Sequence, residues 1–121
     1  MKVQHYRDLI VWQRAMQLVK EIYALTKKMP KEETYGLSSQ MQRAAVSIPS
    51  NIAEGQARSG TKEFAQFLSI ATGSKAELQT QLLICVDIGY LSESDIAVAM
   101  NLSEEVSKML SSLIQKLTTN H

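Results

Sequence analysis

Residues 44–55 read AAVSIPSNIAEG. Pro49 stands there inside a run whose apolar residues otherwise recur with helical spacing. A proline in a helix interior removes one backbone hydrogen bond and clashes with the preceding turn, at about 3 kcal/mol or more. On both sides of it Leu37, Met41, Ala44, Ala45, Ile48 and Ile52 fall at steps of three and four, the signature of one helical face. The spacing predicts a helix from about Glu33 to Glu54 that Pro49 kinks rather than ends. The Ala45 carbonyl loses its usual donor, and the Ser47 and Ser50 hydroxyls are placed to bond backbone groups released there. Ala44, Ala45 and Ala53 let a neighbouring helix come close.

The same period runs through the rest of the chain. From Asp8 to Lys28, Leu9, Trp12, Ala15, Met16, Val19, Ile22, Tyr23 and Leu25 read as one face, and Pro30 follows the end. Gly55, Ser59 and Gly60 mark a loop. A third helix starts near Thr61 and carries Phe64, Phe67, Leu68, Ala71, Leu78, Leu82 and Cys85 as far as Ile88, with Gly89 as its stop. Ser92–Asp95, SESD, resembles a capping box with Asp in the usual place of Glu. Ile96, Ala99, Val106, Met109, Leu110, Leu113 and Leu117 then mark a fourth helix. No stretch alternates with period two. The expectation is an all-α chain, an antiparallel up-down four-helix bundle with a proline-kinked second helix. Residues 1–121 are expected to form a single domain.

Composition narrows the setting. The one cysteine, Cys85, allows no internal disulfide and suits a reducing, cytoplasmic compartment. Neither a signal peptide nor a membrane span is expected. The formal net charge is +1, but its placement is uneven. Residues 1–30 hold Lys2, Arg7, Arg14, Lys20, Lys27 and Lys28 against Asp8 and Glu21. Residues 91–121 hold Lys108 and Lys116 against Glu93, Asp95, Glu104 and Glu105. A basic first helix is either a solvated surface or a phosphate-attracting face.

Two features ask for partners. Gln40, Arg43, Ser47, Asn51, Glu54 and Arg58 form a polar stripe on the second helix. It either faces solvent or makes hydrogen bonds across a subunit interface. Arg43 and Glu54 are too far apart to pair along one helix, so each needs another partner. Gly73 sits mid-way along the third helix, where glycine costs about 1 kcal/mol against alanine. With Ala71 and Ser74 it makes a smooth spot for a packed helix.

Four segments carry a family likeness: DLIVWQRAMQLVKEIYALTKKMP, EETYGLSSQMQRAAVSIPSNIAEGQAR, KEFAQFLSIATGSKAELQTQL and IGYLS. In this order and spacing the chain, from about Tyr6 to Leu117, resembles the bacterial 23S rRNA-intervening-sequence proteins. The resemblance implies an antiparallel four-helix bundle, assembly into a ring-shaped homopentamer, and no enzymatic activity. Some members are encoded within insertions in ribosomal RNA genes. A related branch serves as the accessory variability protein of diversity-generating retroelements, which binds a reverse transcriptase and nucleic acid through a basic surface. That branch is strongly basic, whereas this chain is nearly neutral. Relatives often show two arginines where this chain has Gln42 and Arg43.

Catalytic and cofactor chemistry find no foothold. His5 and His121 lie near opposite ends, with no ligand-spaced partner. Cys85 falls on an apolar face, reading as a buried inert thiol. The glycines of AEGQARSGTKEF lack phosphate-loop spacing and a preceding strand. Glu32 with Glu33, and Glu104 with Glu105, are adjacent on helices and read as solvent-facing. No enzyme, metal or cofactor is expected.

Two function classes remain. One is an oligomeric accessory protein contacting RNA or DNA phosphates through Lys2, Arg7, Arg14, Lys20, Lys27, Lys28 and Arg43. In that reading Ser47, Pro49, Ser50, Asn51, Glu54 and Gly73 shape the second helix and subunit packing. The other is a scaffold for a protein partner that touches no nucleic acid, using aromatics such as Tyr6, Trp12 and Tyr35; for Trp12 a core position is expected.

Overall fold

The computed structural model describes residues 5–119. A 3₁₀ turn, Tyr6–Asp8, leads into α1 (Ile10–Thr26), and a second, Lys31–Glu33, precedes α2 (Leu37–Gln56). Then come α3 (Thr61–Asp87) and α4 (Glu93–Thr119), with no strand among the described residues. α1 packs on α2, α2 on α3, α3 on α4, and α4 back on α1. The chain is thus all-α, an antiparallel up-down four-helix bundle.

The boundaries have local causes. α2 begins later than the periodicity suggests because the Glu33 side chain, from the preceding turn, accepts the Leu37 amide at 2.9 Å. That carboxylate satisfies one of the amides a helix start leaves without a partner. Its other oxygen accepts the Tyr90 hydroxyl at 3.0 Å, a bond that raises the tyrosine pKa by favouring the protonated form. Glu33 is therefore half-buried and structural, not solvent-facing. α3 stops at Gly89, whose φ of +85° suits glycine. The Tyr90 amide reaches the Cys85 carbonyl at 2.9 Å and the Gly89 amide that of Val86 at 3.1 Å, a Schellman motif. The capping box at α4 is reciprocal: Ser92 Oγ accepts the Asp95 amide at 3.1 Å, and Asp95 Oδ2 accepts the Ser92 amide at 2.9 Å.

The core draws on all four helices. Met41, Ile48 and Ile52 of α2, Leu68, Leu78 and Leu82 of α3, and Val106 and Leu110 of α4 are fully buried. Cys85 joins them, its sulfur 3.6 Å from that of Met41 and 3.8 Å from that of Met29. Burial, with the Glu33 charge adding, pushes this thiol pKa up. In α1 the period holds but the phase differs from the sequence reading. Val11, Ala15, Leu18, Ile22 and Leu25 face inward, while Trp12, Met16 and Val19 are only half-buried and Tyr23 is exposed. Apolar residues cover so wide an arc of α1 that two phases satisfy the pattern.

α2 runs unbroken through Pro49, which is buried. Within the protomer the close helix contact at a glycine falls at Gly55 rather than at Gly73. A Cβ on Gly55 would lie 2.6 Å from Phe67 Cβ and 3.0 Å from Phe64 Cδ1. Gly55 is a buried residue of the last turn of α2 rather than part of the loop, and its missing side chain lets α3 cross there. A Cβ on Gly73 meets nothing within 4 Å, so no helix of the same chain packs on it. Gly55→Ala is expected to destabilise the fold by about 1–3 kcal/mol through overpacking, read as a lower midpoint in urea unfolding.

Candidate nucleic-acid interface

The inward phase of α1 dictates its outer row. Trp12, Met16, Lys20, Tyr23 and Lys27 follow one another at steps of three and four, a ring and a thioether followed by a ring between two cations. Across the seam α2 presents Arg43, Val46, Ser50 and Ala53 at the same kind of spacing. Two depressions lie along this seam and share Val46. One, of about 370 Å³, is lined by Tyr23, Gln42, Arg43 and Val46 among others. The other, of about 310 Å³, is lined by Tyr6, Trp12, Met16, Val19 and Pro49 among others. Tyr6 and Trp12 meet edge to face, with ring centroids 5.3 Å apart. Pro49 thus lines the α1–α2 groove, where its missing amide hydrogen withholds a donor from its own helix alone.

Of the seven cations singled out by sequence, the six among the described residues do not form one patch. Lys2 lies outside the described residues. Arg7 is exposed on the first 3₁₀ turn. Arg14 Nε reaches Glu105 Oε2 at 3.1 Å, and Lys28 Nζ reaches Asp95 Oδ1 at 3.2 Å. The first pair ties α1 to α4 and the second ties the turn after α1 to α4, so much of the charge asymmetry between the first and last segments is spent inside the molecule. Glu105 is therefore an ion-pair partner, half-buried rather than simply solvent-facing, whereas Glu104 is exposed as expected and accepts from Gln79 Nε2 at 2.6 Å. Lys20, Lys27 and Arg43 are exposed and have no ion-pair partner among the described residues. They flank Tyr23, which is 45% exposed.

The polar stripe of α2 divides in the same way. Ser47 Oγ and Ser74 Oγ share a hydrogen bond of 2.8 Å across the α2–α3 seam, and Asn51 Nδ2 donates to Ser47 Oγ at 2.9 Å. Asn51 Nδ2 also donates to the Ser47 carbonyl at 2.8 Å. The Ser47 hydroxyl therefore serves α3 rather than backbone released at Pro49, while Ser50 is exposed. Glu54 finds Arg58, just past the end of α2, at 3.0 Å, and the Arg58 guanidinium stands over Phe67 at 5.1 Å. Arg43 is left facing outward beside Tyr23.

Chemically, this row can do two things. Cations without partners attract phosphate, and an exposed aromatic offers a stacking face to an unpaired base. The sequence reading counted Tyr23 as core; its spacing between Lys20 and Lys27 was the available signal. His5 serves locally, its Nδ1 accepting the Arg7 amide at 3.2 Å, and His121 lies outside the described residues. Among the described residues no three metal-ligating side chains cluster. No helix there is long and apolar enough to cross a membrane.

The model of the 23S rRNA-intervening sequence proteins matches residues 7–112. The chain belongs to that family. Its shape agrees: a crystal structure of a protein of unknown function from the S23 ribosomal protein family of Bacteroides thetaiotaomicron superposes with a TM-score of 0.81. The two are 24% identical, over 88% of this chain and 99% of the other, a likeness of fold. No functionally curated protein matches.

Engagement of Lys28 has a pH consequence. The Ser92 amide first, then Lys28, hold the Asp95 carboxyl pKa below its ordinary 3.8. A carboxylate depressed in the folded state contributes stability above its unfolded pKa and loses it as pH falls through the folded value. The stability difference between the parent and Asp95→Asn should stay level near neutrality and shrink below pH 3.8, measured by urea unfolding across pH.

Proposed function

We propose that this family member is a non-enzymatic accessory protein that holds nucleic acid on its α1–α2 face. Lys20, Lys27 and Arg43 contact phosphates there, Tyr23 offers a stacking surface, and Arg7 extends the path toward Tyr6 and Trp12. The observation that carries the reading is the set of three exposed cations without ion-pair partners around an exposed tyrosine. Arg14 and Lys28, held by α4 carboxylates, play the lesser part. Such contacts position a strand and do not read its bases, so little sequence specificity is expected. The family's tie to ribosomal RNA makes RNA the first probe, and Cys85 suits a cytoplasmic setting.

Binding of structured RNA and duplex DNA across a salt series tests this. Affinity should fall with salt, with a log–log slope of about −0.9 per phosphate contact for duplex DNA. Lys20→Glu/Lys27→Glu/Arg43→Glu should abolish binding and flatten that slope, while Arg14→Gln should change it little. Undiminished binding by the triple variant would sink the assignment.

Assembly into a homo-oligomer, a homopentamer by family resemblance, belongs to the same proposal, because repeated weak contacts add through multivalency. Support comes from α3 and its C-cap, where Ile70, Ile84 and the capping Ile88 are large apolar residues left exposed. Gly73 falls in the same row and would admit a second copy closely. Light scattering should give a mass several times the protomer's, lowered by Ile84→Asp. Gly73→Ala should weaken assembly; unchanged mass together with a protomer stabilised by about 1 kcal/mol would overturn that role.

A further inference from the structure

The seam between α1 and α4 is tied at two places and open at a third. Lys28–Asp95 closes it near one end and Arg14–Glu105 farther along. Beyond Arg14, toward the start of α1, it widens into a groove of about 480 Å³. Leu9, Ile10, Met109 and Leu113 give this groove an apolar lining, and Lys108 and Lys116 border it. No acidic residue lines it, and both lysines are exposed without an ion-pair partner among the described residues. Ile10 is 54% exposed. α1 starts there with Leu9 as its cap, no side-chain cap hydrogen bond and no acid in its first turn. Asp8 stands next to that cap and offsets the helix dipole, so the positive charge at the groove is that of the two lysines.

We propose that this groove docks an acidic amphipathic helix of a partner protein. Leucine-like side chains at helical spacing would cover Ile10 and Leu113, and two carboxylates would meet Lys108 and Lys116. The two lysines are eight positions apart on α4, about 12 Å along its axis, so the carboxylates belong about two turns apart on the partner. An apolar strip seated in a groove with charges at its rim is the helix-in-groove mode of recognition. Two lysines make a poor membrane-surface site, where stable attachment takes a cluster of basic residues. The groove uses none of the residues assigned to nucleic acid, so either reading stands or falls alone.

The test uses the full chain and two labelled, helix-stabilised peptides. One carries leucines at i, i+3, i+4 and i+7 with glutamates two turns apart; the other has lysines in place of the glutamates. Fluorescence anisotropy should show the acidic peptide binding and the lysine peptide not. Lys108→Glu/Lys116→Glu should weaken the acidic peptide by about tenfold or more and admit the lysine peptide, as reversed charge complementarity requires. Ile10→Asp should weaken binding through the apolar lining; all three positions are exposed, and circular dichroism checks the fold. The proposal is overturned by equal binding of both peptides, by retention in the double variant, or by binding of phosphatidylglycerol vesicles but not the acidic peptide. A fall in oligomer mass on Lys108→Glu/Lys116→Glu would assign the groove to a second copy of this chain and likewise overturn it.

Discussion

Burial of Val11, Leu18, Ile22 and Leu25 fixes the rotation of α1 about its axis, and the surface chemistry follows from that rotation. Each of these side chains contributes about 1.5–3 kcal/mol when removed from water. An exposed ion pair contributes about 0–1 kcal/mol. The core therefore sets the phase, and the charges take the positions that remain. With this phase, Arg14 and Lys28 fall beside α4 and find Glu105 and Asp95. Lys20 and Lys27 fall on the other side of the outer face, on either side of Tyr23.

α2 answers to two neighbours at once. Toward α1 it presents Pro49, Val46 and Ala53, which line the groove holding Trp12 and Met16. Toward α3 it presents Ser47, which bonds Ser74, and Gly55, over which the Phe64 ring and the Phe67 Cβ close. Hence the small and unusual residues of AAVSIPSNIAEG do not share one role. Pro49 shapes one seam and Gly55 the other, six residues further along the helix. The polar groups between them knit α2 to α3 and leave Arg43 outward.

Number, order and length of the helices were legible in the sequence, because the apolar period of 3.6 is a local property and each helix end carries its own chemistry. Gly89 and the Ser92–Asp95 box act within a few residues, and both behave as their sequence suggests. Glu33 did not, since its partners are the Leu37 amide and Tyr90, the latter 57 residues away. The basic character of the first segment was equally plain, as were the cations Lys20, Lys27 and Arg43. Their division from Arg14 and Lys28 was not, and neither was the exposure of Tyr23.

Legible from local spacing, then, were an all-helical chain, the Gly89 stop and the Ser92–Asp95 cap, the family, and the stock of cations available at the surface. These rest on spacing and on contacts between residues close in the chain. Packing of the four helices settles which arc of α1 points inward, which lysines meet a carboxylate, and which glycine a neighbouring helix needs. Those are contacts between helices, and a helix apolar over a wide arc satisfies its own period in more than one rotation. The choice among rotations belongs to the core that the four helices share.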